Sequence, residues 1–342
     1  MKRILFLIAA AVAVFSCAKD NDPVNPDLTP VKLKMSVLPA GTKALVSGNA
    51  DMGLEDVQIF VFDRDGNLET STGVVSPDSE IELEVIPGTK TLWAAGNLPY
   101  TMNPANLAEM EAETFPLDDN ALDKFIMSDR KSVLVTSADE VEFSLKRLAC
   151  KIVIDKIVRD FTEPAYAEIP LYIKKIYLSN LAYSSTLLAE SVVPDFFCVE
   201  KGVIGDITEE MEELVVDSGI NYTLNEGGIY NVKHTFYALP NGVTNDTNGG
   251  VNFSPRRTRL VVECEYNGQT CYYPVTLPGI VNGSRGTLER NKVYHITALT
   301  LKRPGSGNPD VASEEVSSVQ DCNFNITVDS WDAGHDYNES FM

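Results

Sequence analysis

Apolar residues along this chain recur at every second position or in short unbroken runs, and seldom at the helical period, so the pattern predicts strands. Val31, Leu33, Met35 and Val37 alternate with Lys32, Lys34 and Ser36. Val57–Phe62 is an unbroken run ended by a turn at Asp63-Arg64-Asp65-Gly66-Asn67. Ile81–Ile86 alternates with Glu82 and Glu84 facing water, and Pro87-Gly88 turns the chain. Thr91–Ala95 reads as a buried strand carrying Trp93, and Ser132–Thr136 with Val141–Leu145 as a further pair. The second half offers Ile152–Ile154, Ile173–Leu178, Thr235–Leu239, Arg259–Tyr266, Cys271–Leu277 and Val293–Leu301. Asn103–Arg130 departs from this pattern; its Ala-, Met- and Glu-rich start predicts a helical insertion of about two turns. Short strands with frequent Gly, Pro, Asn and Asp between them predict an all-β fold of Ig-like β-sandwiches.

The two ends carry matching strands. Cys322, Phe324, Ile326 and Val328 alternate with Asn323, Asn325, Thr327 and Asp329, as Val31 to Val37 do near the start. Each end presents four apolar side chains on one face. Each is also set off from the body, by Pro39–Met52 after the first strand and by the Pro-, Gly- and Ser-containing Arg303–Ser318 before the last. Two such strands can compete for one sheet edge; the plainer alternative is that both are ordinary terminal strands. A break at Lys146-Arg147 divides the chain into an N-terminal sandwich, 31–146, and a C-terminal one, 147–342, with 319–342 as a detachable end.

Residues 1–16 are a different kind of segment. Lys2 and Arg3 precede one apolar run, Ile4–Val14, too short to cross a bilayer, and Ser16 is a small residue before Cys17. The stretch resembles a lipoprotein signal, with Cys17 lipidated as the mature N-terminus, although Phe15 is bulkier than the residue usual there. An ordinary exported protein with an incidental cysteine is the alternative. Residues 17–30, acidic and punctuated by Pro23, Pro26 and Pro30, read as a tether holding the body off an outer membrane.

Without residues 1–16 the chain holds 26 basic against 49 acidic residues, a balance that repels nucleic acid and anionic lipid. Roughly 325 residues suit two domains. Five cysteines follow Cys17, an odd number, so they cannot all pair with one another. Asn267-Gly268 is a two-residue hairpin turn that sets Cys264 opposite Cys271, a candidate disulfide, although a facing, hydrogen-bonded pair is not the easiest geometry to bridge. The three histidines, His234, His295 and His335, show no metal-ligand spacing, and no nucleophile elbow, phosphate loop or dinucleotide motif is present. No cofactor is implied. Asp63–Asn67 lacks the glycine and glutamate placement of a calcium loop. Trp93 and Trp331 read as core or seam residues before sugar platforms.

Several segments in order resemble one family. Val31–Val37, Gly41-Thr42-Lys43-Ala44 and Val57–Asp63 are similar to the start of the type V pilins, the FimA-like fimbrial subunits of Bacteroidales-type lipoproteins. Gly88–Asn97 is similar to the strand after the family's Gly-containing turn, Leu145–Val153 to its interdomain link, and Asn323–Trp331 to its terminal strand. The resemblance implies two transthyretin-like β-sandwiches and no enzymatic activity. It also implies an assembly route. A trypsin-like protease cuts after the first strand, its loss opens a groove, and the C-terminal strand of another fimbrial subunit fills it. Lys43, followed by Ala44, stands where the family most often has Arg, and Phe324, Ile326 and Val328 are the implied donor residues. A surface glycan-binding lipoprotein is the alternative from another class.

Overall fold

The structure, a computed structural model, describes residues 29–40, 53–194, 197–198, 209–244, 256–278, 280–281, 284–309 and 322–331. Its first half runs β1 (Val31–Pro39), β2 (Val57–Phe62), β3 (Leu68–Val75), β4 (Ile81–Val85), β5 (Gly88–Gly96), helix α1 (Leu107–Ala112), β6 (Thr114–Pro116), a 3-10 turn (Leu117–Asp119), β7 (Met127–Val135) and β8 (Glu140–Arg147). Seven of these strands form one sheet in the order β3-β2-β5-β7-β8-β1-β4. β7 and β8 pair only at Met127 with Arg147 and Ser128 with Lys146. The sheet therefore turns a corner there, and β8-β1-β4 packs back over β3-β2-β5-β7 around one apolar core.

All six residues of β2 are buried, because both of its faces are covered. One faces the core; the other is closed by the segment after β5, which Gln58 pins. The Gln58 side chain donates to the Tyr100 carbonyl at 2.9 Å and accepts from the Met102 amide at 2.9 Å. Asn97 fixes the start of that segment from the left-handed region (φ 58°). Its amide group donates to the carbonyls of Gly53 at 2.7 Å and Phe125 at 2.9 Å. The helical insertion of about two turns expected at the start of Asn103–Arg130 is present as α1, followed by β6 and one 3-10 turn, and β7 begins at Met127.

The second half comprises β9 (Cys150–Ile154), β10 (Ile157–Arg159), α2 (Pro164–Ala167), β11 (Leu171–Ser179), β12 (Leu181–Ala182), β13 (Ser184–Thr186), β14 (Phe197–Cys198), α3 (Glu209–Val215), β15 (Val216–Leu224), β16 (Ile229–Tyr230), β17 (His234–Ala238), β18 (Arg259–Tyr266), β19 (Gln269–Thr276), β20 (Ile280–Val281), β21 (Ser284–Arg285), β22 (Lys292–Leu301) and β23 (Cys322–Ser330). The larger sheet has the order β16-β10-β22-β9-β17, with β23 pairing along the other side of β22. The second sheet is β15-β11-β18-β19. The chain is thus all-β, with few and short helices.

Between β8 and β9 the chain passes through buried arginines. Arg290 donates to the carbonyls of Ser128 at 3.0 Å and Lys146 at 2.5 Å, and also to that of Leu187. Burial lowers its pKa from 12.5 to about 10. The Arg147 amide donates to Asn291 Oδ1 at 3.1 Å, and the Asn291 amide to the Ala149 carbonyl at 2.9 Å. Carbonyl acceptors make such burial tolerable, since an uncompensated guanidinium in the core is very costly.

Candidate functional site

β1 is held from both sides. It runs antiparallel to β4, with Leu33 opposite Leu83 and Met35 opposite Ile81, and parallel to β8, with Met35 opposite Val141 and Val37 opposite Phe143. The alternation read from the sequence sorts these residues by face. Leu33, Met35 and Val37 are buried, Val31 is half-buried, and Lys32 and Lys34 point to solvent. Each fully buried aliphatic side chain contributes about 1.5–3 kcal/mol. The pairing with β8 continues through the Ala40 amide, which donates to the Leu145 carbonyl at 2.6 Å. A strand in this position can leave only by baring two sheet edges and an apolar trough between them.

The outer face of β1 is an ion-pair ladder. Lys32 Nζ lies 3.0 Å from Glu82, and Lys34 Nζ lies 2.9 Å from Glu80 and 3.0 Å from Glu82. Hydrogen bonds from Lys32 and then Lys34 lower the Glu82 pKa, and those to Glu80 and then Glu82 raise that of Lys34. Lys34 also sits opposite Glu140, and Ser36 opposite Glu142, on the β8 side.

β23 is held differently. Among the described strands it pairs with β22 alone, with Phe324 opposite Leu299, Ile326 opposite Ile296 and Val328 opposite Tyr294. The three apolar side chains are half-buried against the core and the alternate residues are exposed. The register slips between Ile296 and Leu299, where β22 bulges. The strand ends on Trp331, which is buried. Its ring stacks on Tyr237 at 5.6 Å, meets Phe125 edge-on at 5.4 Å and lies over the Arg147 guanidinium at 4.5 Å. Trp331 is therefore a seam residue and Trp93, 1 % exposed, a core residue; neither offers a sugar a flat face.

The Asn267-Gly268 turn forms as expected, with φ of 51° and 74°, and sets Cys264 opposite Cys271. Both cysteines are buried, and no bridge joins them in this structure. Cβ carbons facing across a hydrogen-bonded pair do not direct their sulfurs at each other without distorting the strands. The Asp63–Asn67 loop is a hairpin turn in which Asp63 Oδ1 accepts from the amides of Asp65 and Asn67, both at 2.9 Å. Among the described residues no group of three or more His, Cys, Asp or Glu is placed to hold a metal ion. Cys17, Lys43 and Ala44 lie outside the described residues, as do the flanking stretches 17–28 and 310–321. The ion-pair ladder and the Trp331 seat were not visible in the sequence, because their members are far apart along the chain and meet only in the fold.

No family model and no curated protein matches this chain. Solved structures do. A protein from Parabacteroides distasonis assigned to cell adhesion aligns over 89% of this chain and 100% of its own, at 16% identity and a TM-score of 0.62. A tip fimbrial protein of Porphyromonas gingivalis, truncated at its C-terminus, aligns over 89% of this chain and 100% of its own at 14% identity, with a TM-score of 0.52. A fimbrilin (fimA) of the same organism aligns over 88% of this chain and 97% of its own, at 16% identity and a TM-score of 0.62. Across nearly its whole length, this chain has the fold of a fimbrilin.

Proposed function

We propose that this chain is a structural fimbrial subunit, made as an outer-membrane lipoprotein anchored at Cys17. After proteolytic removal of its first strand it is built into a filament that serves cell adhesion. The observation that carries the proposal is the contrast between the two end strands. β1 fills a slot between two partners, whereas β23, of the same length and alternation, is paired along one side among the described strands. The shared fold with fimbrilin and tip fimbrial proteins supports a structural rather than a catalytic role.

The mechanism follows from the geometry of the slot. While the chain is intact, any opening of β1 is reversed by an intramolecular partner at high effective concentration. A trypsin-like cut between Lys43 and Ala44, three residues beyond the last described pairing at Ala40, removes that advantage. Val31, Leu33, Met35 and Val37 can then be replaced by an incoming strand presenting Phe324, Ile326 and Val328. Main-chain hydrogen bonds to both slot edges supply affinity and the apolar trough supplies register. Slot and donor occupy different places on one subunit, so the contact is heterologous and propagates with other fimbrial subunits, identical or different. Burial of Trp93 and Trp331 leaves a glycan-binding role without either tryptophan as a platform.

Immunogold electron microscopy of the native cell surface, with antibody against this chain, tests the reading. Gold along filaments is expected. Gold confined to the cell envelope, with filaments unlabelled, overturns it.

A further inference from the structure

The slot that β1 occupies is lined on its outer rim by carboxylates: Glu80, Glu82 and Glu84 from the β4 side, and Glu140 and Glu142 from β8. β1 answers them with Lys32 and Lys34. Those lysines depart with the strand. The chain's own last strand brings no cation to replace them. With Phe324, Ile326 and Val328 set on the positions of Leu33, Met35 and Val37, its outward residues are Asn323, Asn325 and Thr327, followed by Asp329. Reversing the strand leaves the same four residues outward, because the alternation has period two.

Like charges on neighbouring strands of one face repel, and an opposite charge placed between them removes the penalty. Resting on the strand-exchange reading above, we infer that the opened slot selects a donor strand from a different subunit, one with Lys or Arg at alternate outward positions. The apolar trough supplies most of the binding and is shared by any alternating strand. The carboxylate rim decides between strands, admitting a copy of this chain's own last strand more weakly than a basic one. The two lysines of β1 thus act as a template for the partner's charge pattern.

The test uses the full chain cleaved after Lys43 and freed of protease. Three fluorescent strands are offered to it: residues 29–43, residues 319–331, and the latter carrying Asn323→Lys and Asn325→Lys. At about 50 mM salt the lysine-bearing strand is expected to bind at least about fivefold tighter than its parent, a gap that closes at about 0.5 M as charges are screened. Glu82→Gln with Glu140→Gln in the cleaved chain narrows the gap at low salt. Equal affinity of the two last-strand peptides at low salt overturns the selectivity and leaves strand exchange standing. Failure of both beside a first strand that binds also overturns it. Failure of all three strands overturns the exchange mechanism itself.

Discussion

The guanidinium of Arg147, at the end of β8, lies 4.5 Å from the centre of the Trp331 ring, at the end of β23, and donates to the Trp331 carbonyl at 3.0 Å. The last strand is therefore tied at its far end to the segment where the first half of the chain passes into the second. Leaving β22 means drawing Trp331 out of its seat between Phe125 and Tyr237. Trp331→Ala is expected to destabilise the fold by about 3–5 kcal/mol and to free the strand first. Hydrogen exchange followed by mass spectrometry should show protection lost mainly in 322–330; equal loss in β9 and β18 would mean that the seat supports the whole body and not the strand.

Both end strands were legible in the sequence because each keeps strict alternation, and burial follows it residue by residue. Among strands of eight residues or more, β3 and β15 leave no such pattern. Leu68–Val75 and Val216–Leu224 mix polar residues and Gly among their apolar residues, since they lie at sheet edges, the first mostly half-buried and the second mostly exposed. Buried arginines were equally hidden, as sequence alone assigns Arg to the surface. The carboxylate rim of the slot joins Glu82 and Glu140 across β1, a relation that only the parallel β1–β8 pairing creates.

The ladder on β1 sets a pH window for holding the first strand. Glu82 has its pKa lowered from 4.5 by Lys32 and Lys34, so its contribution is complete above 4.5 and is lost as pH falls through its folded value. Lys34 has its pKa raised from 10.5 by Glu80 and Glu82, so its contribution is complete below 10.5 and is lost as pH rises through its folded value. Retention of the segment cleaved off at Lys43, followed by gel filtration, is expected to be flat between these limits and to fall on both sides. Lys32→Gln with Lys34→Gln should remove the alkaline limb. A profile unchanged by that pair of substitutions contradicts the ladder's role.

Lipidation at Cys17 is expected from the apolar run before it and the acidic tether after it. Metabolic labelling with an alkyne fatty acid should tag the wild-type chain and not Cys17→Ala. Label persisting in the variant refutes the assignment.

Limited trypsin treatment of the folded precursor should cut first after Lys43, in the segment between a strand held at both edges and the body. Mass spectrometry is expected to find a new N-terminus at Ala44, while Lys32 and Lys34 stay intact until β1 leaves. A first cut within α1 to β7, with Lys43 protected, counts against the proposed maturation.

Strand exchange is tested most directly by cleaving three chains after Lys43 at about 0.5 M salt, where the carboxylate rim is screened, and running each on a detergent gel. The chains are wild type, Ile326→Asp, and a deletion of 319–342. A buried, unpaired carboxylate costs several kcal/mol, so Ile326→Asp cannot fill the trough, and the deletion has no strand to give. Wild type should form detergent-resistant ladders while both variants remain cleaved, soluble monomer. Ladders from the deletion equal to those of wild type would contradict the donor role of the last strand.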